Sequence, residues 1–351
     1  MSKRLLFITP IFPKKLEEDY VVPFLAQFTY VFAEQTDVVV DVISLAYPFE
    51  KIEYKLNNVT VYAIGSKFIS PIKQFPFMLR AVYKGVRLHK KNKYDGVLCF
   101  WYREAALVGV LLNKLLGLKL RVWFLGQDVQ KGNKYIPLLR ISPKKLIMIS
   151  KQQREIFYKN HNIFIDKIAN VAFDRKKFPE LNKDERPIDI IGVGNIGFIK
   201  NYALFLDIII VLREFFPNLR AVICGADAGQ KPLLDKKVQE NQLEQNITFT
   251  GRISLTEVYD YMNKSRVFLH TSNAEGAGLV LQEALYLGCK VVSTIEVEES
   301  DEIKNHFFFS KDTDVLTNNI KEYLNNPFEP VRIERFKMED TIQCIYESFF
   351  N

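Results

Sequence analysis

At 351 residues the chain is long for a single core, and two domains of ordinary size are expected. Its composition, 48% hydrophobic and 25% charged, is that of a folded soluble protein, and no apolar run reaches the eighteen residues of a membrane-spanning helix. The formal charge of +7 is uneven: residues 1–186 hold 32 Lys and Arg against 17 Asp and Glu, and residues 187–351 hold 16 against 24. A basic first half points to an acidic partner, such as an anionic membrane surface, a lipid phosphate, an acidic glycan or nucleic acid.

Short β-branched and apolar runs alternate with longer helical patterns along the chain, which predicts βαβ units and mostly parallel sheets. The apolar start, Leu5 to Ile8, is too short for the core of a signal peptide and reads as a first strand. Further strands are expected near Val38 to Ile43, Thr60 to Ile64, Gly96 to Phe100, Arg121 to Phe124 and Leu146 to Ile149. Helices are expected over Val22 to Glu34, Phe77 to Lys91, Glu104 to Leu116 and Lys151 to Tyr158. In Phe75 to Lys91 an apolar set, Phe75, Leu79, Val82 and Val86, and a basic set, Arg80, Lys84, Arg87 and Lys91, share helical spacing, with the two stripes centred about 140° apart. Such a helix either faces the core and solvates its basic side or docks on an anionic membrane. The run Leu125-Gly-Gln-Asp128 follows a strand, so Asp128 either accepts sugar hydroxyls or caps the following turn.

Asn182 to Pro187 is polar, alternates in charge and ends in proline, and is the expected linker. The alternation then resumes, with strands near Ile188 to Val193, Ala221 to Cys224, Ile247 to Phe249, Val267 to His270 and Lys290 to Ser293. Two doubly wound domains follow, residues 1–183 and 184–338, with ligands expected outside the carboxyl ends of strands. The run Gly192-Val-Gly-Asn-Ile-Gly197 has the spacing of a dinucleotide fingerprint, but no acidic residue ends the next strand at the usual distance. Lys200, just beyond, is placed to neutralise a diphosphate or to be a solvated surface lysine.

The most informative stretch is Ser272 to Gly288, where Glu275 lies in a glycine-containing loop and Glu283 in the helix that follows, Leu279 to Leu287. Free amides at a helix start favour phosphate, and a carboxylate one or two turns further on accepts hydrogen bonds from vicinal hydroxyls. Hydrolytic carboxylates must face each other across the scissile bond at roughly 5 to 10 Å. Eight residues of loop and helix separate these two by on the order of 10 Å along the axis alone, which argues against facing roles. A capped helix start with one buried Glu is the plainer alternative. Asp312 and Asp314 precede a helix and read as caps. The cysteines, Cys99, Cys224, Cys289 and Cys344, are widely separated and read as reduced residues of a cytoplasmic protein, and the four histidines share no metal-ligand spacing.

Over residues 188–294 the chain resembles the group 1 transferases of glycosyltransferase family 4, which have the two-domain GT-B fold. The matching segments are Val193 to Asn201, Pro217 to Gly225, Phe249 to Ile253 and His270 to Thr294, in the family's order and spacing. The resemblance implies that Glu283 holds the donor ribose, Glu275 the transferred sugar and Lys200 the diphosphate; Glu275, Lys200 and Asp128 are the candidate catalytic residues. Gly276, Ala277, Gly278 and Leu279 would supply backbone amides, Gly194 and Asn195 would border the phosphates, and Gly251 and Ile253 the base. It further implies a UDP- or GDP-linked sugar as donor, a glycan or lipid-linked acceptor, no cofactor, no bound metal, no nucleic acid and retention of anomeric configuration. The last helix, residues 339–351, is expected to return to the acceptor-binding first domain, and the enzyme to be cytoplasmic and peripheral on the inner membrane face. Three positions depart from the family pattern: Asn195 replaces a second diphosphate-binding Arg, Leu125 a His near the sugar, and Phe12 to Lys15 a glycine pair. These departures motivate a non-catalytic nucleotide-binding partner as the alternative, with an NAD-dependent enzyme using Gly192 to Gly197 as the third.

Overall fold

The computed structural model describes residues 2–67, 71–298 and 300–351, the side chains of 71–73 excepted. The chain divides into two compact units, residues 1–174 with 336–351, and residues 175–335.

The first unit is built on a seven-stranded sheet with order β3-β4-β2-β1-β5-β6-β7. Its strands are β1 (Lys3–Ile11), β2 (Val38–Tyr47), β3 (Ile52–Leu56), β4 (Val59–Ala63), β5 (Gly96–Phe100), β6 (Lys119–Trp123) and β7 (Leu146–Ile147). All neighbours pair in parallel except β3, which runs antiparallel to β4. Helices α1 (Pro23–Gln35), α2 (Pro71–Asn92), α3 (Glu104–Leu116), α4 (Tyr135–Leu139) and α5 (Lys151–His161) connect them. Leu5 to Ile8 are buried without alternation because both faces of β1 are covered. On one side Phe7 meets Phe28 and Phe32 of α1, and on the other Leu6 and Ile8 join the core beneath α2 and α3. Gly109 lets α3 approach the sheet, since a Cβ there would lie 2.2 Å from Cys99 Sγ.

Helix α2 turns inward only part of the face its hydrophobic pattern predicts, since Val82 and Val86 pack on the core but Phe75 and Leu79 do not. Met78, Ala81, Val82, Gly85 and Leu88 are buried, whereas Phe75 and Leu79 are 52% and 49% exposed. The physical reason lies at Gly85, where a Cβ would stand 2.8 Å from Leu112 Cδ1 of α3. Close contact between the helices selects the seam of small residues, and two bulky apolar residues are left outside.

The second unit has a parallel six-stranded sheet with order β10-β9-β8-β11-β12-β13. Its strands are β8 (Ile188–Val193), β9 (Ala221–Cys224), β10 (Ile247–Gly251), β11 (Ser265–His270), β12 (Lys290–Ser293) and β13 (Phe307–Phe309). Helices α6 (Tyr202–Phe215), α7 (Lys231–Glu240), α8 (Leu255–Asn263), α9 (Leu279–Tyr286) and α10 (Thr313–Asn325) pack on its faces. Asp312 caps α10 by accepting hydrogen bonds from the amides of Asp314 and Val315. The segment expected as a linker, residues 182–187, is instead locked into this unit. Arg186, only 4% exposed, donates to the carbonyls of Asn182, Ser265 and Leu287, and the chain passes between units at Asp174–Arg175. Burial of a satisfied guanidinium outweighs the polar, hinge-like composition of its neighbours.

After the second unit, helix α11 (Met338–Phe350) packs on the first. Thr341 donates to the Asn170 carbonyl, Lys119 to that of Phe349, and the Phe349 ring fills the space left by Gly96, where a Cβ would come within 2.6 Å of it. Phe349→Ala is therefore expected to destabilise the first unit by about 3–5 kcal/mol, read as a lowered midpoint in a denaturant titration.

Candidate functional site

Strand order in the second sheet reverses between β8 and β11, which is where open α/β sheets bind ligands beyond their carboxyl ends. Two loops leave those ends and are zipped together. The Asn273 amide donates to the Ile199 carbonyl at 2.8 Å, Thr271 Oγ1 to the Lys200 carbonyl at 2.9 Å, and Asn273 Nδ2 to the Phe198 carbonyl at 3.2 Å. The first loop folds tightly because Gly194 takes a φ of +139°, and a Cβ there would stand 2.6 Å from Lys200 Cε. A side chain at 194 would displace the lysine.

These contacts bring Lys200 Nζ to 2.9 Å from Glu275 Oε2. His270, the last residue of β11, presents Nε2 to the same oxygen at 3.2 Å and to Ser272 Oγ at 2.9 Å, while its Nδ1 meets Ser293 Oγ at 3.2 Å. Burial pushes the Glu275 carboxyl upward, but the hydrogen bond from His270 and the nearby ammonium outweigh it and hold the group at about 2. His270 is itself pushed down by burial, so the imidazole is neutral, and a proton on Nε2 lets the ring donate to Glu275. Sequence reasoning placed Lys200 and Glu275 separately but missed His270. The available signal was its position at a strand's carboxyl end, five residues before Glu275.

Helix α9 begins at Gly278, a residue with φ +62° and no side-chain cap. The Leu281 and Gln282 amides donate to the Gly278 carbonyl, and the Gly276 amide donates to Glu275. Among the described residues, amides therefore face a ligand at the helix start proper, Gly278 to Val280. Glu283 lies on α9, 6% exposed, and accepts a hydrogen bond from Tyr259 Oη at 3.0 Å. Tyr259 in turn stacks on Phe178 at 4.0 Å. Burial drives the Glu283 carboxyl up to about 7, against a smaller opposing effect of the tyrosine hydrogen bond. Gly251, at φ +69°, ends β10, and Asn195 is exposed in the loop after β8.

In the first unit the strand order reverses between β1 and β5, and a cavity of about 390 Å³ opens beyond their carboxyl ends. It is lined by Ile11, Ala46, Gln74, Trp101, Arg103 and Glu104, among others. Glu104 accepts a hydrogen bond from Tyr135 at 3.0 Å and lies 3.7 Å from Arg103. Trp101 has a φ of +67°, a left-handed conformation costly for a bulky residue and retained where the surroundings enforce it.

Residues 173–339 match the family model for glycosyl transferases group 1. That segment, a little under half of the chain, is similar to the group 1 glycosyltransferases. It is 22% identical over 293 residues to an uncharacterized glycosyltransferase of Haemophilus influenzae, covering 80% of this chain and 79% of that protein. It is 30% identical over 159 residues to the capsular polysaccharide biosynthesis glycosyltransferase CapH of Staphylococcus aureus, covering 44% and 41%. It is 28% identical over 130 residues to the alpha-monoglucosyldiacylglycerol synthase of Acholeplasma laidlawii, covering 35% and 32%. Among solved structures it is similar to a sucrose-phosphate synthase of Thermosynechococcus elongatus, with a TM-score of 0.70, 16% identity and coverage of 99% and 95%. It is also similar to Anabaena HepE in complex with UDP and glucose, with a TM-score of 0.64, 14% identity and coverage of 98% and 93%. The fold is GT-B, with two Rossmann-like domains.

These similarities support an enzyme that uses a nucleotide sugar and speak against the NAD-dependent alternative. The dinucleotide reading also fails locally: Asp227, the acidic residue after β9, is occupied by the amides of Gly229, Gln230 and Lys231. Asp128 likewise departs from its expected catalytic part. It is 2% exposed, and its carboxylate accepts from the amides of Tyr102, Leu125 and Gly126. Burial raises its carboxyl to about 6 while those amides hold it down, so it builds its own loop rather than reaching for a sugar. The basic residues Arg80, Lys84, Arg87 and Lys91 lie along α2 in the first unit.

Glu283 makes stability depend on pH with a definite sign. Its folded carboxyl, at about 7, keeps a proton that the unfolded chain releases near its ordinary 4.5. The resulting stabilisation is full below the unfolded value and is lost as pH rises through about 7. Relative to Glu283→Gln, the native enzyme should lose on the order of 2–3 kcal/mol between about pH 4 and pH 8, measured by denaturant titration across that range.

Proposed function

We propose that this glycosyltransferase moves a sugar from a UDP- or GDP-linked donor to a glycan or lipid-linked acceptor, with retention and without a bound metal, in cell-surface polysaccharide or glycolipid synthesis. The observation that carries the donor assignment is the convergence of Lys200, Glu275 and the uncapped start of α9 beyond the carboxyl ends of β8 and β11. The arriving diphosphate takes over the Lys200 ammonium from Glu275 and lies against the amides of α9. Glu275, still held by His270, then accepts hydrogen bonds from the sugar, and Glu283 from the ribose. The anomeric C–O bond to the diphosphate breaks, a new bond to the acceptor oxygen forms on the same face, and the acceptor's proton passes to the departing phosphate. The protein positions the reactants and stabilises the leaving charge, so no side chain needs to be an acid, a base or a nucleophile.

The first unit, with the cavity beside Trp101, is the acceptor domain in this reading, and the second is the donor domain. The capsular and glycolipid enzymes among the relatives support the acceptor class. A peripheral place on the inner face of the membrane is supported by the basic first half and by Arg80, Arg87 and Lys91, exposed on α2. Among the described residues no helix is long and apolar enough to cross a membrane.

Incubation with a panel of UDP and GDP sugars and lipid-linked or glycan acceptors should yield product. Lys200→Ala and Glu275→Ala are each expected to lower kcat by about 10²–10³, since each removes a charged contact strengthened as the diphosphate leaves. Unchanged turnover in both variants would overturn the site. Glu275→Gln removes the charge that occupies Lys200 in the free enzyme, so affinity for the bare nucleoside diphosphate should rise in calorimetry while sugar transfer falls. A drop in diphosphate affinity would mean that Glu275 does not compete for the lysine.

A further inference from the structure

A second cavity, of about 460 Å³, lies in the first unit between α2 and the edge strands β3 and β4. Lys51, Tyr62, Arg80, Tyr83, Lys84 and Arg87 line it. Glu53 is the carboxylate on its wall and is held by Lys84 at 3.2 Å, while the Lys84 ammonium lies 4.1 Å over the Tyr62 ring. Four cations thus face one carboxylate. Among the described residues no Asp or Glu lies within 4 Å of Lys51, Arg80 or Arg87, so three of the four are available to an anion.

The same helix carries bulky apolar residues that are about half or more exposed. Phe75, Leu79 and Tyr83, spaced four residues apart, are 52%, 49% and 65% exposed. At about 100° per residue they fill a sector adjoining the one that holds Arg80, Lys84, Arg87 and Lys91. Apolar residues beside a cationic sector on one solvent-facing helix suit the boundary between lipid headgroups and acyl chains. A soluble anion would satisfy the arginines and leave Phe75 and Leu79 in water.

From this juxtaposition we infer that the cleft between α2 and β3–β4 is a binding site for the phosphate of one anionic glycerophospholipid. Arg80 and Arg87 grip the phosphate, Lys51 closes the strand side, and Phe75 and Leu79 enter the acyl boundary beside it. The inference rests on the peripheral-membrane reading above and adds to it a discrete lipid site, separate from the cavity beside Trp101.

The test compares wild type, Arg80→Gln/Arg87→Gln, Phe75→Ser/Leu79→Ser and a charge-matched control, Lys144→Gln/Lys159→Gln. Co-sedimentation is measured with phosphatidylcholine vesicles with and without phosphatidylglycerol, and unchanged melting curves check folding. Both cleft-side double variants should lose roughly tenfold or more in affinity for the anionic vesicles while the control stays near wild type. In phosphorus NMR, wild type but not Arg80→Gln/Arg87→Gln should broaden the signal of a short-chain phosphatidylglycerol kept below its micellar concentration. Equal losses in the control and arginine variants would reduce the attraction to diffuse charge, overturning the discrete site and leaving the membrane reading intact. Wild type without preference for anionic vesicles would overturn both. Glycerol 3-phosphate binding as tightly as the short-chain lipid, with Phe75→Ser/Leu79→Ser unaffected, would overturn the lipid in favour of a soluble anion.

Discussion

The proposed donor site depends on the ion pair between Lys200 and Glu275. Both side chains are about four-fifths removed from water, at 22% and 21% exposure, and neither charge is well tolerated there alone. An anion that takes the lysine must displace the carboxylate, and the displaced carboxylate must find new donors at once. His270 Nε2 lies 3.2 Å from Glu275 and is a donor available to the carboxylate in the absence of the lysine. A diphosphate attached to a sugar supplies both replacements, an anion for the ammonium and hydroxyls for the carboxylate. The pair therefore favours the whole donor over either fragment, because each fragment leaves one buried charge only partly compensated.

Backbone contacts make that pair attainable. The loops after β8 and β11 are bound to each other through main-chain and side-chain hydrogen bonds, so Lys200 and Glu275 move as parts of one surface. Glycines permit the approach: besides Gly194, Gly225 would place a Cβ 2.0 Å from the Gly194 carbonyl oxygen. A Rossmann-like sheet with a reversal between β8 and β11 supplies two adjacent strand ends, and small residues let their loops close to hydrogen-bonding distance. Electrostatics then completes an arrangement that sterics has permitted.

Much of this was legible in the sequence, for identifiable reasons. The βαβ alternation, the start of α9 at Leu279 and the Asp312 cap each arise from local pattern, and Glu275, Lys200 and Glu283 stood out by spacing from strand ends. What escaped was set by distant neighbours. The antiparallel β3 and the short β13 lie at sheet edges, where pairing depends on one partner and leaves a weak local signal. Composition marked residues 182–187 as a hinge, yet three carbonyls, two of them about 80 to 100 residues away, make Arg186 an anchor. Asp128 offered a cap or a sugar ligand with equal local claims, and the amide of Tyr102, from a different loop, takes part in deciding for the cap.

Helix α2 shows the same limit in a form that changes the surface. Hydrophobic periodicity weighs transfer free energy, and by that measure Phe75 and Leu79 belong inside. Packing weighs shape as well, and α3 comes so close at Leu112 that Gly85 has no room for a methyl group. With Ala81 and Gly85 buried, the inward seam is centred away from residues 75, 79 and 83, which remain exposed. Small residues in the interior thus determine which large ones remain in water. Those large ones lie beside Arg80 and Arg87, which have no carboxylate partner among the described residues, so packing inside the first unit shapes the amphipathic surface that the lipid assignment requires.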